Sequence, residues 1–127
     1  MAEKVAKFRF LNFRVLESNI KLSLDSESSA RLSVDFEQEF SENVEERKMK
    51  LELTSIIKDE KGEVEISVKS CGFFEYDSDL DVPLKEKFFY QNAPAILFPY
   101  VRAYISTLTA LSGINPITLP TLNLSRK

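Results

Sequence analysis

The order of hydrophobic patterns along the chain predicts an α+β fold: a four-stranded antiparallel sheet followed by one long C-terminal helix. Two observations carry this. Up to about residue 76, apolar residues recur at every second position in four successive segments, the period of a strand with one buried face. From Phe88 to Ser125 the only charged residue is Arg102, and apolar residues there recur at helical spacing. A length of 127 residues suits one domain, spanning 1–127. Within it we place the sheet at 7–76, the long helix at about 93–112 and an apolar tail at 114–125.

In the first strand, Lys7 to Leu24, Phe8 and Phe10 share one parity, and Leu11, Phe13 and Val15 share the other. Leu16 then opens an even series with Ile20, Leu22 and Leu24. A parity change within one strand marks a β-bulge, so this is one long, bent strand. The second strand, 30–40, points Leu32, Val34, Phe36 and Phe40 one way and Arg31, Ser33, Asp35, Glu37 and Glu39 the other. It is a half-buried strand with a wet acidic face. The third strand covers about 46–57, with Met49, Leu51, Leu53 and Ile57 inward. Asp59-Glu60-Lys61-Gly62 fits a tight turn with glycine at the left-handed position. The fourth strand, about 63–76, carries Val64, Ile66, Val68, Phe74 and Tyr76, and Cys71-Gly72 interrupts it. Glycine there suggests a further bulge or a close backbone approach.

Pro94 suits the first turn of the helix and Gly113 its C-terminal cap, while Pro99 inside should bend it near its start. Leu97, Tyr100, Val101, Tyr104, Leu108 and Leu111 form one stripe, with Ile96, Phe98 and Ile105 beside or beyond it. A helix apolar nearly all round must be covered nearly all round, and one sheet covers one side. Four large side chains left over, at roughly 1.5–3 kcal/mol each, put about 6–12 kcal/mol at stake. That rivals a typical domain stability of about 5–15 kcal/mol. The expectation is an oligomer, with Phe98, Val101, Arg102, Ile105 and Leu108 at its interface. The alternative is that residues 114–125 fold back over the exposed side. Arg102 is read as a structural tie between subunits.

Composition excludes several function classes. Lys plus Arg is 17 and Asp plus Glu is 20, a net charge of −3, which does not suggest a nucleic-acid binder. There is no histidine, so Ser-His-Asp and Cys-His catalysis and histidine metal ligation are closed. The single cysteine, Cys71, has no partner for a disulfide or thiolate zinc site and no histidine to activate it. Three glycines leave no phosphate-cradling loop. Asp77-x-Asp79-x-Asp81 opens like a calcium loop, yet Val82 stands where that loop needs glycine, so a charged loop is the better reading. Glu63 and Glu65, the remaining carboxylate pair, are expected to face solvent. The reading is therefore no enzyme, no catalytic residues, no metal and no cofactor. MAEKVAKFRF lacks the apolar core of a signal peptide, and prolines punctuate the apolar C-terminal stretch. A cytoplasmic protein with no direct membrane insertion is expected.

Asn92-Ala93-Pro94-Ala95-Ile96-Leu97-Phe98-Pro99-Tyr100-Val101-Arg102 resembles the x-x-P-N-I-L-F-P-Y-A-R run that opens the long helix of SecB proteins, the bacterial export chaperones. Pro116-Ile117-Thr118-Leu119-Pro120-Thr121-Leu122-Asn123 is similar to that family's apolar P-x-L-x-L-x-P-x-N-F segment. Lys69-Ser70-Cys71-Gly72-Phe73-Phe74 stands where the family has Q-Q-G-G-I-F. The element order matches over roughly residues 7–124. The resemblance implies a SecB-like α+β fold and a homotetramer built as a dimer of dimers. It also implies an ATP-independent holdase for unfolded proteins and preproteins in protein export.

The chain also departs from that pattern. The family's long aromatic crossover between strands one and two shrinks to about Asp25–Ser29, and its second helix and acidic tail have no counterpart before Lys127. Asn19, Ser23 and Ser67 stand where the family carries acids that help dock the translocase ATPase SecA. Docking features for SecA thus look lost, with Asp35, Glu37 and Glu39 as a substitute acidic docking face. The expected client-binding residues are Ile20, Leu22, Leu24, Leu32, Ile117, Leu119, Leu122 and Leu124, with ordinary core as the alternative for each. A second function stays open: a dedicated adaptor or a toxin–antitoxin-associated chaperone of SecB fold, uncoupled from SecA.

Overall fold

The computed structural model describes residues 7–24 and 31–120. Strands β1 (Phe8–Leu22), β2 (Leu32–Asn43), β3 (Lys48–Asp59) and β4 (Val64–Tyr76) form one antiparallel sheet in the order β1-β4-β3-β2. Helix α1 (Val82–Lys87), a π-turn (Phe88–Asn92) and helix α2 (Ala93–Leu111) follow without a break. The fold is two layers, with the helices on one face of the sheet.

β1 is the long bent strand that its parity changes demand. Its register against β4 shifts twice, between Phe10 and Asn12 and between Val15 and Glu17. The bulged residues are Leu11 and Leu16, each nearly half exposed, so neither belongs to the inward series it was grouped with. β2 and β3 pair without a shift. The turn at 59–62 closes as expected: Gly62 takes φ +74°, and Asp59 Oδ1 accepts the N–H groups of Glu63 and Val64 at 2.8 and 3.1 Å. Gly72 marks a close approach, not a bulge, because β4 keeps its register there with both neighbours. A Cβ on Gly72 would lie 3.0 Å from the Phe74 ring and 3.1 Å from Leu97 Cδ1. Glycine is what lets α2 settle onto the sheet.

The inner face of the sheet (Met49, Leu51, Leu53, Ile57, Val64, Ile66, Val68, Phe74) meets Ala93, Leu97, Phe98, Val101 and Ile105 of α2. This corrects the expected subunit interface. Phe98, Val101 and Ile105 are buried within the chain's own core, and of the five expected interface residues only Arg102 and Leu108 keep partial exposure. The reason is geometric. A four-stranded sheet is wide enough to bury a broad arc of one helix, and the 97-101-105 row with its neighbours lies in that arc. The outward arc holds mainly small residues, Ala95, Pro99, Ala103, Thr107 and Ala110, with Tyr100 and Leu111 as the large exposed ones.

Asp77, Asp79 and Asp81 are structural. Asp77 pairs with Arg9 at 2.9 Å and Asp79 with Lys7 at 3.2 Å. Asp81 caps α1, accepting from Leu84 N at 2.9 Å. The acidic spacing predicts a charged loop here; Asp81 followed by Pro83 is instead the start signal of α1. In the π-turn, Ala93 N–H reaches back to Phe88 O, just before Pro94, whose missing N–H breaks the α-helical ladder.

After α2, Gly113 (φ +94°) turns the chain back along the helix. Ser106 Oγ donates to Ile117 O at 2.9 Å, and Ile117 N–H donates to Thr109 Oγ1 at 2.8 Å. These two bonds pin the tail, and Leu119 enters the core at 1% exposure. Residues 114–120 therefore fold back along the flank of α2 and into the core, and they leave the outward arc, with Tyr100 and Leu111, exposed.

Candidate functional site

Register brings part of the expected apolar site together. Leu22 lies opposite Val64, Ile20 opposite Ile66 and Leu32 opposite Asp59, so all three sit at one end of the sheet on its inner face. Each is half-buried and packs against the edge of the core. Leu24, just beyond β1, is fully exposed. Ile117 is half-buried and held by Ser106 and Thr109 on the flank of α2. Leu119 is not available as a contact, because the core encloses it. Leu122 and Leu124 lie outside the described residues.

The acidic face is sharper in three dimensions than in the chain. Asp35, Glu37 and Glu39 stand in a row on the outer face of β2, and β2 is an edge of the sheet. Glu39 lies opposite Glu52. The Glu52 carboxylate is answered by Lys50 at 3.1 Å and Lys69 at 3.5 Å. The hydrogen bond from Lys50 holds it below the usual carboxylate range. On the inner side of the same strand, Phe36 meets Phe98 edge-on at 5.6 Å and Phe40 meets the exposed Tyr90 at 4.8 Å. This aromatic row was not singled out as functional in the sequence, where it reads as core parity.

A second polar cluster closes the other end of the sheet. Tyr76 donates to Glu42, and Lys85 binds the same carboxylate at 2.9 Å while its Nζ lies 5.2 Å from the Tyr76 ring centre. Burial, reinforced by the bond to Glu42, pushes the Tyr76 phenol up to about 12. Burial alone would raise Glu42, but hydrogen bonds from Tyr76 and Lys85 hold it below its ordinary value. A cleft of about 280 Å³ beside this cluster is lined by Val44, Arg47, Tyr76, Asp77, Ser78, Leu80 and Lys85. Cys71 is buried, which pushes its thiol up and away from the reactive thiolate. Among the described residues no group of three or more His, Cys, Asp and Glu could hold a metal, and no helix is long and apolar enough to cross a membrane. The arrangement can offer apolar surface, an unpaired strand edge and a row of carboxylates.

Comparison with known proteins agrees with this architecture. The family model described as preprotein translocase subunit SecB matches residues 11–126. An uncharacterized protein of Methanocaldococcus jannaschii is 35% identical over 106 residues, 80% of this chain and 68% of that one. The protein-export protein SecB of Anaplasma phagocytophilum is 37% identical over 60 residues, 46% of this chain and 38% of that one. Among solved structures, a Mycobacterium tuberculosis SecB-like chaperone, in complex with a peptide from the HigA1 antitoxin, matches with a TM-score of 0.75. It is 14% identical, and the match covers 91% of this chain and 88% of that one. A Streptococcus agalactiae protein of unknown function matches with a TM-score of 0.51, at 14% identity, over 93% of this chain and all of that one. From the extent of the family match and the shared two-layer fold, the chain belongs to the SecB family.

Proposed function

We propose that this protein is an ATP-independent holding chaperone that takes up unfolded or precursor polypeptides through apolar contacts, in the cytoplasm and in the service of export. The observation that carries this is the apolar end of the sheet, where half-buried Ile20 and Leu22 on one edge strand and Leu32 on the other lie at the same end, with Leu24 fully exposed just beyond β1. Burial of apolar surface is non-directional, so such a site tolerates many client sequences. The absence of histidine from the chain supports a binding role over catalysis. Family membership supports the same reading. So does the peptide held by the mycobacterial SecB-like chaperone, at the level of a shared fold.

Assembly as a dimer of dimers would use the outward arc of α2, where Ala95, Ala103 and Ala110 allow close approach and Tyr100 and Leu111 supply apolar area. Arg102, on the flank of α2, stays the proposed tie between subunits. Asp35, Glu37 and Glu39 offer an acidic face on which SecA or another partner would dock. A second reading is favoured by the short connection from β1 to β2, residues 23–31, which leaves little chain to wall a general groove. It is a chaperone of this fold dedicated to one partner.

The test is size exclusion with light scattering, alone and with a reduced, unfolded secretory precursor, without ATP. A tetramer that co-elutes with the precursor is the expected result. A monomer that leaves the precursor to aggregate overturns the reading. A stable oligomer that ignores several unrelated unfolded chains favours the dedicated partner.

A further inference from the structure

The end of the sheet away from Ile20, Leu22 and Leu32 carries a cleft that the holding role does not use. It lies between the β2–β3 turn and the loop from β4 to α1. We propose that this cleft captures the free C-terminal carboxylate of a polypeptide whose last residue is apolar, with Arg47 binding the carboxylate. The proposal goes beyond the holding reading and does not rest on it.

The β2–β3 turn supplies the first observation. Arg47 N–H donates to Val44 O at 3.2 Å, Glu46 N–H donates to Asn43 Oδ1 at 3.1 Å, and Arg47 O accepts Tyr76 N–H at 3.0 Å. Among the described residues Arg47 is the one non-glycine residue at positive φ, +56°. Glycine or asparagine usually takes such a position, because a longer side chain is strained there. Arginine holds it here and lines the cleft. A strained residue in the wall of a cleft points to a use for its side chain.

The charges around Arg47 select the ligand. Asp77 is answered by Arg9 at 2.9 Å. Glu42 accepts from Tyr76, and from Lys85 at 2.9 Å. Lys85 is fixed further by the rings of Tyr76 and Phe89, 5.2 and 5.9 Å from its Nζ. The Arg47 guanidinium has no hydrogen bond or ion pair among the described residues, so it is the cation left over in the lining. Its planar fork matches the two oxygens of a carboxylate. Ser78 adds a hydroxyl donor beside it.

The remaining lining selects what the carboxylate is attached to. Val44, 67% exposed at the tip of the turn, and Leu80 give the cleft an apolar side. Its volume, about 280 Å³, lies at the small end of ligand sites, which run from about 300 to 1,000 Å³. That is room for one terminal residue and not for a folded element. A carboxylate and an apolar side chain on the same carbon are what a chain ending in leucine or valine presents. An internal Asp or Glu brings its carboxylate without that apolar neighbour.

The test uses the full-length protein and a fluorescent six-residue peptide ending in leucine, read by anisotropy. One derivative carries a C-terminal amide, and another ends in serine with its carboxylate free. The amide should bind at least tenfold more weakly than the parent, and the serine peptide at least threefold more weakly. Arg47→Gly suits the positive φ better than arginine does, so circular dichroism should show a folded protein with no loss of stability. It should bind the parent at least tenfold more weakly and leave the affinity for the amide unchanged. Amide shifts on adding the parent should centre on Arg47, Ser78 and Lys85.

An amide within threefold of the parent overturns the proposal, as does a parent that fails to bind or that binds Arg47→Gly at full strength. Shifts centred on Ile20, Leu22 and Leu32 place the peptide elsewhere and also overturn it. Isocaproate that competes as well as the peptide would make the occupant a small organic acid, against a polypeptide end. A protein that holds unfolded precursor yet ignores the terminal carboxylate keeps its holding role and loses this cleft. One that captures the leucine-ended peptide and holds no precursor does the reverse.

Discussion

Replacing Thr109 by valine removes one hydroxyl and almost no volume, so it isolates the bonds that pin the tail. Thr109 is fully buried, donates to Ile105 O at 2.8 Å and accepts Ile117 N–H at 2.8 Å. If the tail stays in place, Ile117 N–H loses its acceptor, which costs about 1–3 kcal/mol. If the tail peels away, Leu119 leaves the core and gives up roughly 1.5–3 kcal/mol of burial. Both routes predict a loss of about 1–3 kcal/mol, or about 4–12 °C in Tm for a domain of this size. Urea unfolding followed by far-UV circular dichroism reads the stability, and amide exchange at Ile117 reads the pin itself. Thr109→Val should raise exchange at Ile117 at the same time as it lowers the urea midpoint. A stability loss under about 0.5 kcal/mol with Ile117 still protected would refute the reasoning, because the hydroxyl would then hold nothing.

Two further outcomes follow from close packing and from charge. Gly72→Ala should lose about 1–2 kcal/mol in urea unfolding, since overpacking against Phe74 and Leu97 exceeds the modest gain from a stiffer unfolded chain. In a Leu97→Ala background much of that loss should vanish, and an unchanged penalty there would count against the contact. Tyr76 is raised from 10.0 to about 12, so the folded state keeps its proton longer than the unfolded chain does. Its contribution to stability is complete below pH 10 and lost as pH rises toward 12. Absorbance titration should find one of the four tyrosines ionising late, and Tyr76→Phe should remove that component. Glu42 runs the opposite way: its pKa is lowered on folding, so its contribution is present at neutral pH and lost as pH falls through the acid range. Glu42→Gln should flatten that acid limb.

Local pattern was enough for the strands because each buries one face and is wetted on the other. Met49, Leu51, Leu53 and Ile57 were legible as inward, and the parity changes in β1 announced the bulges. The faces of α2 were not legible in this way. Leu97, Phe98, Val101 and Ile105 are no more apolar than Ile96 or Leu111, and only the width of the sheet decides which arc it covers. The site residues divide similarly. Ile20 and Leu22 end β1 and Leu32 opens β2, close in sequence, yet the strand order sets them on opposite edges of one end of the sheet, with β4 and β3 between them. Leu119 read as a free apolar contact because nothing in the tail foretold that Ser106 and Thr109 would hold it.

Sequence alone determined the four strands and the long helix, the acid row on the second strand, the absence of histidine chemistry and the resemblance that placed the family. All of these are written in nearest-neighbour spacing or in composition. Tertiary structure decided which strand is the free edge, which helix arc is spent on the core and where the tail goes. Those depend on pairing between segments up to about seventy residues apart, such as Lys7 with Asp79. Periodicity says that a face must be covered; the sheet order says by what.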